Sequence, residues 1–539
     1  MTTELTPPPR QSVSPPARAA RPPWVDADVL REWSGWVRRE TEADEVPLQT
    51  ASAPFTLEPT ASVPQCSAPD VAAAVARARV AQRDWAGVAV GERARLVLAF
   101  HDLLLEAQEQ VLDLIQWETG KARFHAWQEV GQVVALARHY GRRAEHYLKP
   151  ARLRGMVPGA TVVKEVRVPK GVVGIISPWN YPLYLGVGDV LPALLAGNAV
   201  VSKADAQTPL TLLWTRALMD RAGLPADVWQ VVTGVGEVTG PALVDAVDYV
   251  AFTGSTATGR EVARRAAGRL VGASLELGGK NPLVVRRDAD LAAAAHGAAT
   301  AAFANTGQMC IHVERVYAHE DVYDEFRDAL VRATEELRLG SAYDYSVDVG
   351  SLTSLDQLER VTAHVEDAVA QGARVLTGGQ ARPDLGPLFF EPTVLEGVTS
   401  AMRIFSEETF GPVVSLYPFA SDADAVALSN QGTYGLSASV WSRDVGSAER
   451  LAVSLRAGAV NINDGAAAAA GSVEAGMGGM GESGLGRRHG AEGIRRFTDA
   501  QTVARQRLMP LGPPPGKPVE AFVHQTNRQL ALMRRLRLR

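Results

Sequence analysis

Two side chains capable of covalent chemistry, a glutamate and a cysteine, lie near each other in this 539-residue chain. Glu276 belongs to Leu-Glu-Leu-Gly-Gly-Lys (275–280), and Cys310 ends Asn-Thr-Gly-Gln-Met-Cys (305–310), 34 positions later. A thiolate is the strongest side-chain nucleophile near neutral pH, and a carboxylate can deprotonate a thiol or a water molecule. The pair therefore predicts covalent catalysis at a carbonyl carbon, with both side chains in one cleft.

The segments that must position this pair alternate between strand and helix patterns. Residues 68–148 have helical apolar spacing, and a second α/β stretch runs from Pro282 to about Ile462. Between them, short apolar runs alternate with helical ones, which is typical of βα units in a parallel sheet. The strands predicted there are Val172–Ile176, Ala199–Val201, Trp229–Val232 and Tyr249–Phe252.

Composition excludes several classes of protein. Hydrophobic residues make up 46% and charged residues 21%, as in a globular protein, and the net charge of −5 gives no reason to expect a nucleic-acid partner. No apolar run reaches the roughly 18 residues that span a bilayer. The only cysteines are Cys66 and Cys310, which favours a reducing, cytoplasmic compartment. The histidines lack metal-ligand spacing, so we expect no catalytic metal.

Further segments carry a family resemblance when they are taken in order with the glutamate and cysteine motifs. Over about residues 60–510 the chain resembles the aldehyde dehydrogenase superfamily, which implies a parallel-sheet dinucleotide-binding domain, an α/β catalytic domain and a β-hairpin oligomerisation element. The segments that carry it are Val-Val-Gly-Ile-Ile-Ser-Pro-Trp-Asn-Tyr-Pro (172–182), Ala-Gly-Asn-Ala-Val-Val-Ser-Lys (196–203), Ala-Phe-Thr-Gly-Ser-Thr (251–256), Glu-Glu-Thr-Phe-Gly-Pro (407–412) and the glycine-rich stretch 477–487.

The resemblance implies a role for each matched residue. Cys310 would attack the aldehyde, Asn180 and the backbone N–H of Cys310 would hold the oxyanion, and Glu276 would activate water to hydrolyse the thioester. Glycine at a strand–helix turn also allows close approach of a pyrophosphate to a helix N-terminus. The cofactor positions that the resemblance implies are Ile176, Trp179, Lys203, Ala206, Gly254, Ser255, Leu277, Glu408 and Phe410.

The expected cofactor is NADP, with NAD as the alternative. Many NAD-preferring members of the family carry a glutamate three places after the matched lysine, and Ala206 occupies that position here. The lack of this carboxylate removes repulsion against a 2′-phosphate, although Asp205 lies one position away.

The expected substrate is succinate semialdehyde, with longer apolar or aromatic aldehydes as the alternative. The stretches 342–352, 386–395 and 486–490 resemble a bacterial NADP-type succinate-semialdehyde dehydrogenase branch, which favours succinate semialdehyde. The arginines that clamp a distal carboxylate in well-understood semialdehyde enzymes are replaced by Gly188 and Ala304. Ala466–Ala470 predicts a wide apolar mouth, suited to longer or aromatic aldehydes. Glu276 argues against a coenzyme A-acylating relative, and an inactive structural homologue is the remote alternative.

The termini and the predicted hairpin complete the assignment. Pro158-Gly159 predicts the hairpin turn and Thr161–Val168 one of its strands, and Phe497–Ala504 reads as a further strand; such edges favour a homodimer or homotetramer. The arginine-rich C-terminal tail predicts either a helix docked on protein or a membrane-surface helix. The parts predicted are a disordered tail (1–23), a dinucleotide-binding domain (24–150 and 170–280), a catalytic domain (281–481), an oligomerisation element (151–169 and 482–510) and the basic tail (511–539).

Overall fold

A computed structural model describes residues 21–40, 47–155, 161–507, 512–535 and 537. It divides into two compact units, the first comprising Met1–Tyr147 with Pro169–Phe497 and the second Leu148–Val168 with Thr498–Arg539. The predicted α/β class with parallel sheets is confirmed. The predicted turn at Pro158-Gly159 and most of the predicted N-terminal tail (1–23) lie outside the described residues.

The strands of the described residues form four sheets. In chain order they are β1 (Leu48–Ser52), β2 (Pro59–Pro64), β3 (Ala151–Arg154), β4 (Thr161–Pro169), β5 (Val172–Ile176), β6 (Ala199–Lys203), β7 (Trp229–Val232), β8 (Tyr249–Thr253), β9 (Gly272–Glu276), β10 (Asn281–Val285), β11 (Val313–His319), β12 (Arg374–Thr377), β13 (Thr393–Glu396), β14 (Val413–Phe419), β15 (Ser437–Trp441), β16 (Ala459–Ile462), β17 (Gly484–Leu485) and β18 (Thr498–Gln506).

Helices precede and connect these strands, and four of them fill the stretch 68–148 that was predicted to be helical. In chain order the α-helices are α1 (Ala27–Gly35), α2 (Ala68–Gly87), α3 (Val90–Glu106), α4 (Gln108–Thr119), α5 (Arg123–Leu148), α6 (Pro182–Val187), α7 (Val190–Leu195), α8 (Pro209–Arg221), α9 (Gly236–Val244), α10 (Thr256–Gly268), α11 (Leu291–Phe303), α12 (Tyr323–Glu335), α13 (Leu355–Ala370), α14 (Arg403–Ser406), α15 (Asp422–Ser429), α16 (Val445–Ala452), α17 (Ala467–Ala470), α18 (Gly490–Arg495) and α19 (Val519–Arg535).

The first large sheet has the order β17-β9-β8-β5-β6-β7, and β9 to β7 run parallel. Strand β5 is almost wholly buried, as expected of an apolar strand with both faces covered. Register pairs Ile176 with Lys203 and Thr253 with Glu276, so four strands end along one edge. Gly484–Leu485 pairs antiparallel with β9, so this part of the segment 482–510 lies in the first unit.

The second large sheet has the order β12-β13-β14-β11-β10-β15-β16 and is parallel except for β12. Its core includes the buried side chains of Leu283, Val316 and Phe326, which pack with the alanine-rich face of α11. Only residues 277–280 separate β9 of the first sheet from β10 of the second. This short connection brings the carboxyl end of β9 close to the amino ends of β10 and its neighbours.

The second unit contains a three-stranded sheet, in the order β18-β4-β3, and the helix α19. The observed strands Thr161–Pro169 and Thr498–Gln506 agree with the two strands predicted there. The small sheet β1–β2 was not predicted. Within the described part of the chain, every helix is too short or too polar to cross a membrane.

Candidate active site

Cys310 lies in the wall of a cavity of about 760 Å³. Helix α5 supplies one side of the cavity and α11 another, while residues 463–471 form a third side. The aromatic and sulfur-containing side chains in the wall are Trp127, Tyr181, Tyr184, Trp441, Met309 and Met477. The nucleophile predicted from the sequence therefore faces a largely apolar chamber of a size suited to a small organic molecule.

The backbone of Cys310 is fixed by the segment that follows β9. The Asn281 side-chain amide donates to the Cys310 carbonyl at 2.8 Å. A Cβ atom added at Gly279 would lie 2.8 Å from the same carbonyl, so the glycine permits this close approach. Burial, with the charges of Glu276 and Glu408, raises the pKa of the Cys310 thiol to about 12. The thiol is therefore protonated at neutral pH and needs a base before it can attack.

Glu276 is buried at the carboxyl end of β9. Burial raises the pKa of its carboxyl group to about 7, and the positive charge of Arg488 opposes this effect most strongly. Such a carboxyl group can exchange protons near neutral pH. The negative charge of Glu276 raises the pKa of the Cys310 thiol, but Glu276 is not among the residues that line the cavity. Glu276 acts electrostatically on the Cys310 thiol in the cavity wall, and a shared cleft for the two side chains stays a prediction.

Asn180 follows β5 and lines the same cavity. Its Nδ2 donates to the Gln308 carbonyl at 3.0 Å, which occupies one of the two N–H groups of this amide. Asn305 donates to the Asn180 carbonyl at 3.2 Å. The structure thus brings Asn180 and the loop ending in Cys310 together, as the oxyanion-hole prediction requires.

Lys121 and Glu129 form a fully buried ion pair next to Asn180, and the sequence analysis did not find them. The Lys121 ammonium donates to the Asn180 carbonyl at 2.6 Å and lies 4.0 Å from the centre of the Tyr181 ring. Glu129 accepts from the backbone N–H of Leu183 at 3.0 Å, in the first turn of α6. The pair therefore fixes the turn that carries Asn180 from both sides.

The predicted adenosine-side residues lie at the carboxyl ends of three neighbouring strands. Ile176 ends β5, Lys203 ends β6, and Gly254 follows β8. The side chain of Ser255 accepts from the Thr258 N–H and caps α10, whose first turn is partly open to solvent. Backbone N–H groups of such a turn are available to a pyrophosphate.

Ala206 lies three positions beyond Lys203, in the loop before α8, and is partly exposed. Its side chain carries no charge, and the neighbouring Asp205 accepts from the Gln207 N–H at 2.9 Å. Burial raises the pKa of Asp205, while the Lys203 ammonium lowers it.

The predicted nicotinamide-side residues gather at the connection between the two large sheets. Glu408 Oε1 accepts from the Gly279 N–H at 3.0 Å, and the rings of Trp179 and Phe410 lie 5.6 Å apart, edge to face. Leu277 is buried against Gly259 in the first turn of α10. The residues predicted to bind the nicotinamide end of the cofactor therefore lie close together in the structure.

Glu314 is a further buried residue that no sequence motif indicated. Its carboxylate accepts from Thr409 N–H at 2.9 Å and Phe410 N–H at 3.2 Å, and it forms a buried ion pair with Lys280. Phe410 has φ +56°, which side chains other than glycine rarely adopt. Glu314 thus holds the loop that carries Glu408 and Phe410 in an unusual conformation.

These features fit a dinucleotide. A Cβ atom added at Gly254 would lie 2.6 Å from the Phe252 ring, so only glycine fits this turn position without a shift of the ring. The open first turn of α10 and Lys203 offer donors to it. Among the described residues, no group of three or more metal-ligating side chains is present.

The cavity wall bears on the open question of the substrate. Its lining contains no lysine or arginine among the described residues, and its one carboxylate, Asp464, accepts from the N–H groups of Ala467 and Ala468. Ala304 lines the cavity, whereas Gly188 does not. A Cβ atom at Gly188 would lie 2.7 Å from the Tyr184 carbonyl, so a side chain at that position would require a local shift of the structure.

Comparison with known proteins agrees with this geometry. Residues 40–503 match the model described as Aldehyde dehydrogenase family. A Mycobacterium ulcerans protein, provisionally named succinate-semialdehyde dehydrogenase (NADP(+)) 2, is 49% identical over 477 residues, which cover 88% of this chain and 92% of that protein. An Escherichia coli NADP-dependent enzyme superposes with a TM-score of 0.84 at 32% identity, covering 88% of this chain and 99% of that one. The NAD+ complex of a Bacillus cereus aldehyde dehydrogenase superposes with a TM-score of 0.82 at 34% identity, covering 85% of this chain and 93% of that one.

The chain belongs to the aldehyde dehydrogenase family. It is an NAD(P)-dependent aldehyde dehydrogenase.

Proposed function

We propose that the enzyme oxidises its aldehyde through a covalent bond to Cys310. The position of Cys310 in the cavity wall beside Asn180 carries this proposal. Glu276 takes the thiol proton, the sulfur attacks the aldehyde carbon, and the Asn180 amide and the Cys310 N–H hold the resulting oxyanion. A bound NAD(P) supplies the acceptor for the hydride that leaves this carbon. Glu276 first releases the thiol proton to solvent, then accepts a proton from the water that attacks the thioester and returns it to the departing sulfur, which releases the carboxylic acid and the free thiol.

We assign NADP as the preferred dinucleotide, held by Ile176, Lys203, Gly254 and Ser255 at the adenosine end and by Trp179, Leu277, Glu408 and Phe410 towards the nicotinamide. The uncharged side chain of Ala206 supports this preference, since a carboxylate there would repel a 2′-phosphate. The name of the Mycobacterium ulcerans relative, which specifies NADP(+), also supports this preference.

The cavity best supports an uncharged apolar or aromatic aldehyde as substrate. A carboxylate bound against this wall would lose water without gaining a lysine or arginine partner, at a cost of several kcal/mol. Aromatic rings and the alanines near 466–470 would instead contact a hydrocarbon or a benzene ring.

Succinate semialdehyde is the second candidate. The name of the Mycobacterium ulcerans relative favours it, at 49% identity over most of both chains. The choice is tested by kcat/KM for benzaldehyde, hexanal and succinate semialdehyde with NADP, using Cys310→Ala as the inactive control. A preference for succinate semialdehyde would contradict the apolar assignment, and turnover by Cys310→Ala would contradict the covalent mechanism.

The three-stranded sheet supports assembly into a homodimer or homotetramer. Its outer strands β3 and β18 are exposed along almost their whole length, and exposed strand edges invite pairing with another chain. A nucleophilic thiol that must stay reduced supports a cytoplasmic location. The sequence-based division into a dinucleotide-binding part, 24–150 with 170–280, and a catalytic part, 281–481, is retained in this proposal.

A further inference from the structure

A buried cluster of three charged side chains lies behind Glu276. Asp189 accepts from Arg488 at 2.8 Å through Oδ2 and from Arg496 through Oδ1. The exposed fractions of these side chains are 2% for Asp189, 7% for Arg488 and 10% for Arg496. Two guanidinium groups thus share one carboxylate away from water.

Hydrogen bonds connect this cluster to the strands that carry Glu276. Arg488 donates to the Thr253 hydroxyl, and Thr253 is the register partner of Glu276 on β8. Arg496 donates to the Ser274 hydroxyl at 3.0 Å, and Ser274 lies two residues before Glu276, on the same face of β9. Both arginines therefore cover the sheet face towards which the glutamate side chain points.

Glu276 and Arg488 each present a buried polar atom without a hydrogen-bond partner among the described residues. These atoms are Oε1 of the glutamate and Nε of the arginine. A buried polar group without a partner is costly, and one of opposite charge nearby can relieve the cost. With Glu276 ionised, two carboxylates balance two guanidinium groups and the cluster is neutral.

We propose that Arg488 is a positioning residue for the proposed reaction, which holds the Glu276 carboxylate ionised and aligned as the base between turnovers. The inference rests on the proposed role of Glu276. It differs from a purely structural role for Arg488, because the ionisation of Glu276 then depends on the charge at residue 488 and on that of its partner.

The charged and titratable groups that act on Glu276 fix the sign of this dependence. Arg488, Arg496 and Arg487 lower its pKa, whereas burial and Asp189 raise it. The charge of Glu276 in turn raises the pKa of Cys310 and of Tyr184. Tyr184 is hydrogen-bonded to His489 at 2.7 Å. Removal of the Arg488 charge should therefore raise the pKa of Glu276, and removal of the Asp189 charge should lower it.

The test measures NADPH formation by rapid mixing, with benzaldehyde and with succinate semialdehyde, for the wild type, Arg488→Gln, Arg488→Lys and Asp189→Asn from pH 5.5 to about 9. With Arg488→Gln, the midpoint at which steady-state turnover falls in acid should move up by about one pH unit, making turnover at pH 7 about fivefold slower, while the first burst of NADPH persists at high pH. Asp189→Asn should move the midpoint down, and Arg488→Lys should restore the wild-type midpoint. Thermal unfolding of each variant reports folding.

Three outcomes would overturn the inference. One is an unchanged midpoint in a folded Arg488→Gln variant. Another, if that variant does not fold, is an Asp189→Asn midpoint that stays in place or moves up. The third is equal loss of turnover at all pH values that Arg488→Lys does not rescue. A wild type that forms no NADPH with either aldehyde would refute the proposed function itself, and this inference with it.

Discussion

The Lys121 ammonium donates a hydrogen bond to the carbonyl of Asn180 while it is paired with Glu129 in a completely buried site. This contact joins an ion pair on the helical layer to the turn that carries the proposed oxyanion donor. Since the lysine is held by Glu129 and by the Tyr181 ring, the position of Asn180 depends on residues well outside the family motifs.

Lys121→Met should therefore damage both stability and catalysis. Loss of one partner leaves Glu129 as an uncompensated buried charge, and we expect the free energy of unfolding to fall by about 3–5 kcal/mol. Misplacement of Asn180 should lower kcat by about a hundredfold. Denaturant unfolding and NADPH formation measure the two effects. The double variant Lys121→Met/Glu129→Gln should recover part of the stability but not kcat, and full recovery of kcat would show that the contact to Asn180 has no catalytic effect.

Glu276→Gln should slow both the attack of the thiol and the hydrolysis of the thioester. At pH 9 we expect a slower first phase of NADPH formation and steady turnover reduced by about 10²–10⁴-fold, because the amide can accept a proton neither from Cys310 nor from water. In the wild type, the pKa of about 7 means that the carboxyl group is protonated in acid, so turnover should fall as the pH drops through 7. Rapid-mixing absorbance follows both phases, and steady turnover of the variant at the wild-type rate would rule out Glu276 as the base.

Ala304→Arg should improve the oxidation of succinate semialdehyde. Ala304 lines the cavity, where no lysine or arginine is found in the described wall, so a guanidinium group there could pair with a distal carboxylate. A charge-assisted hydrogen bond contributes about 1.5–3 kcal/mol, which corresponds to at least about a tenfold gain in kcat/KM relative to hexanal. Ala304→Met is the control for added bulk. An equal gain with Met, or none with Arg, would contradict the assignment of this wall as the distal end of the substrate site.

Ala206→Glu should turn the cofactor preference towards NAD. A carboxylate near a 2′-phosphate adds repulsion of about 1–4 kcal/mol at the effective dielectric constants of a protein surface. We expect the ratio of kcat/KM for NADP to that for NAD to fall by at least about tenfold. Ala206→Gln has nearly the same shape without the charge and should change the ratio far less. An unchanged ratio in Ala206→Glu would show that the 2′-phosphate binds elsewhere.

Deletion of residues 519–539 tests the amphipathic helix α19 separately from assembly. The helix carries Arg528, Arg534 and Arg535 among scattered apolar side chains. We expect docking on protein, so neither the full chain nor the truncated chain should sediment with anionic vesicles. Gel filtration should give a dimer or tetramer for the full chain. Sedimentation that disappears on truncation would instead establish a membrane-surface helix, and a monomer at micromolar concentration would refute the assembly proposal.

Local pattern was sufficient for the parallel strands and for the motif residues, because apolar runs, glycine turns and strand ends are encoded within a few positions. Val172–Ile176 and Trp229–Val232 were predicted with the bounds observed. The pairs Asp189–Arg488 and Lys121–Glu129 were missed for a different reason. A single charged residue carries no local sign of its partner, and Asp189 and Arg488 are separated by 299 positions.

The surroundings of Glu276 also could not be read from sequence. Its motif identifies a carboxylate at the end of a strand, but Arg496, which contacts Ser274 on that strand, lies 222 positions away from it in the chain. Likewise, only the three-dimensional path of the chain shows that Ala304 lines the cavity whereas Gly188 does not.

Residues 277–280 are the shortest path between the two large sheets, and they touch Glu408 at one point and the Cys310 backbone at another. A connection of four residues leaves the two sheets little freedom to move independently of each other. A displacement of one sheet against the other would therefore act through the same four residues on Glu408 and on the backbone of Cys310.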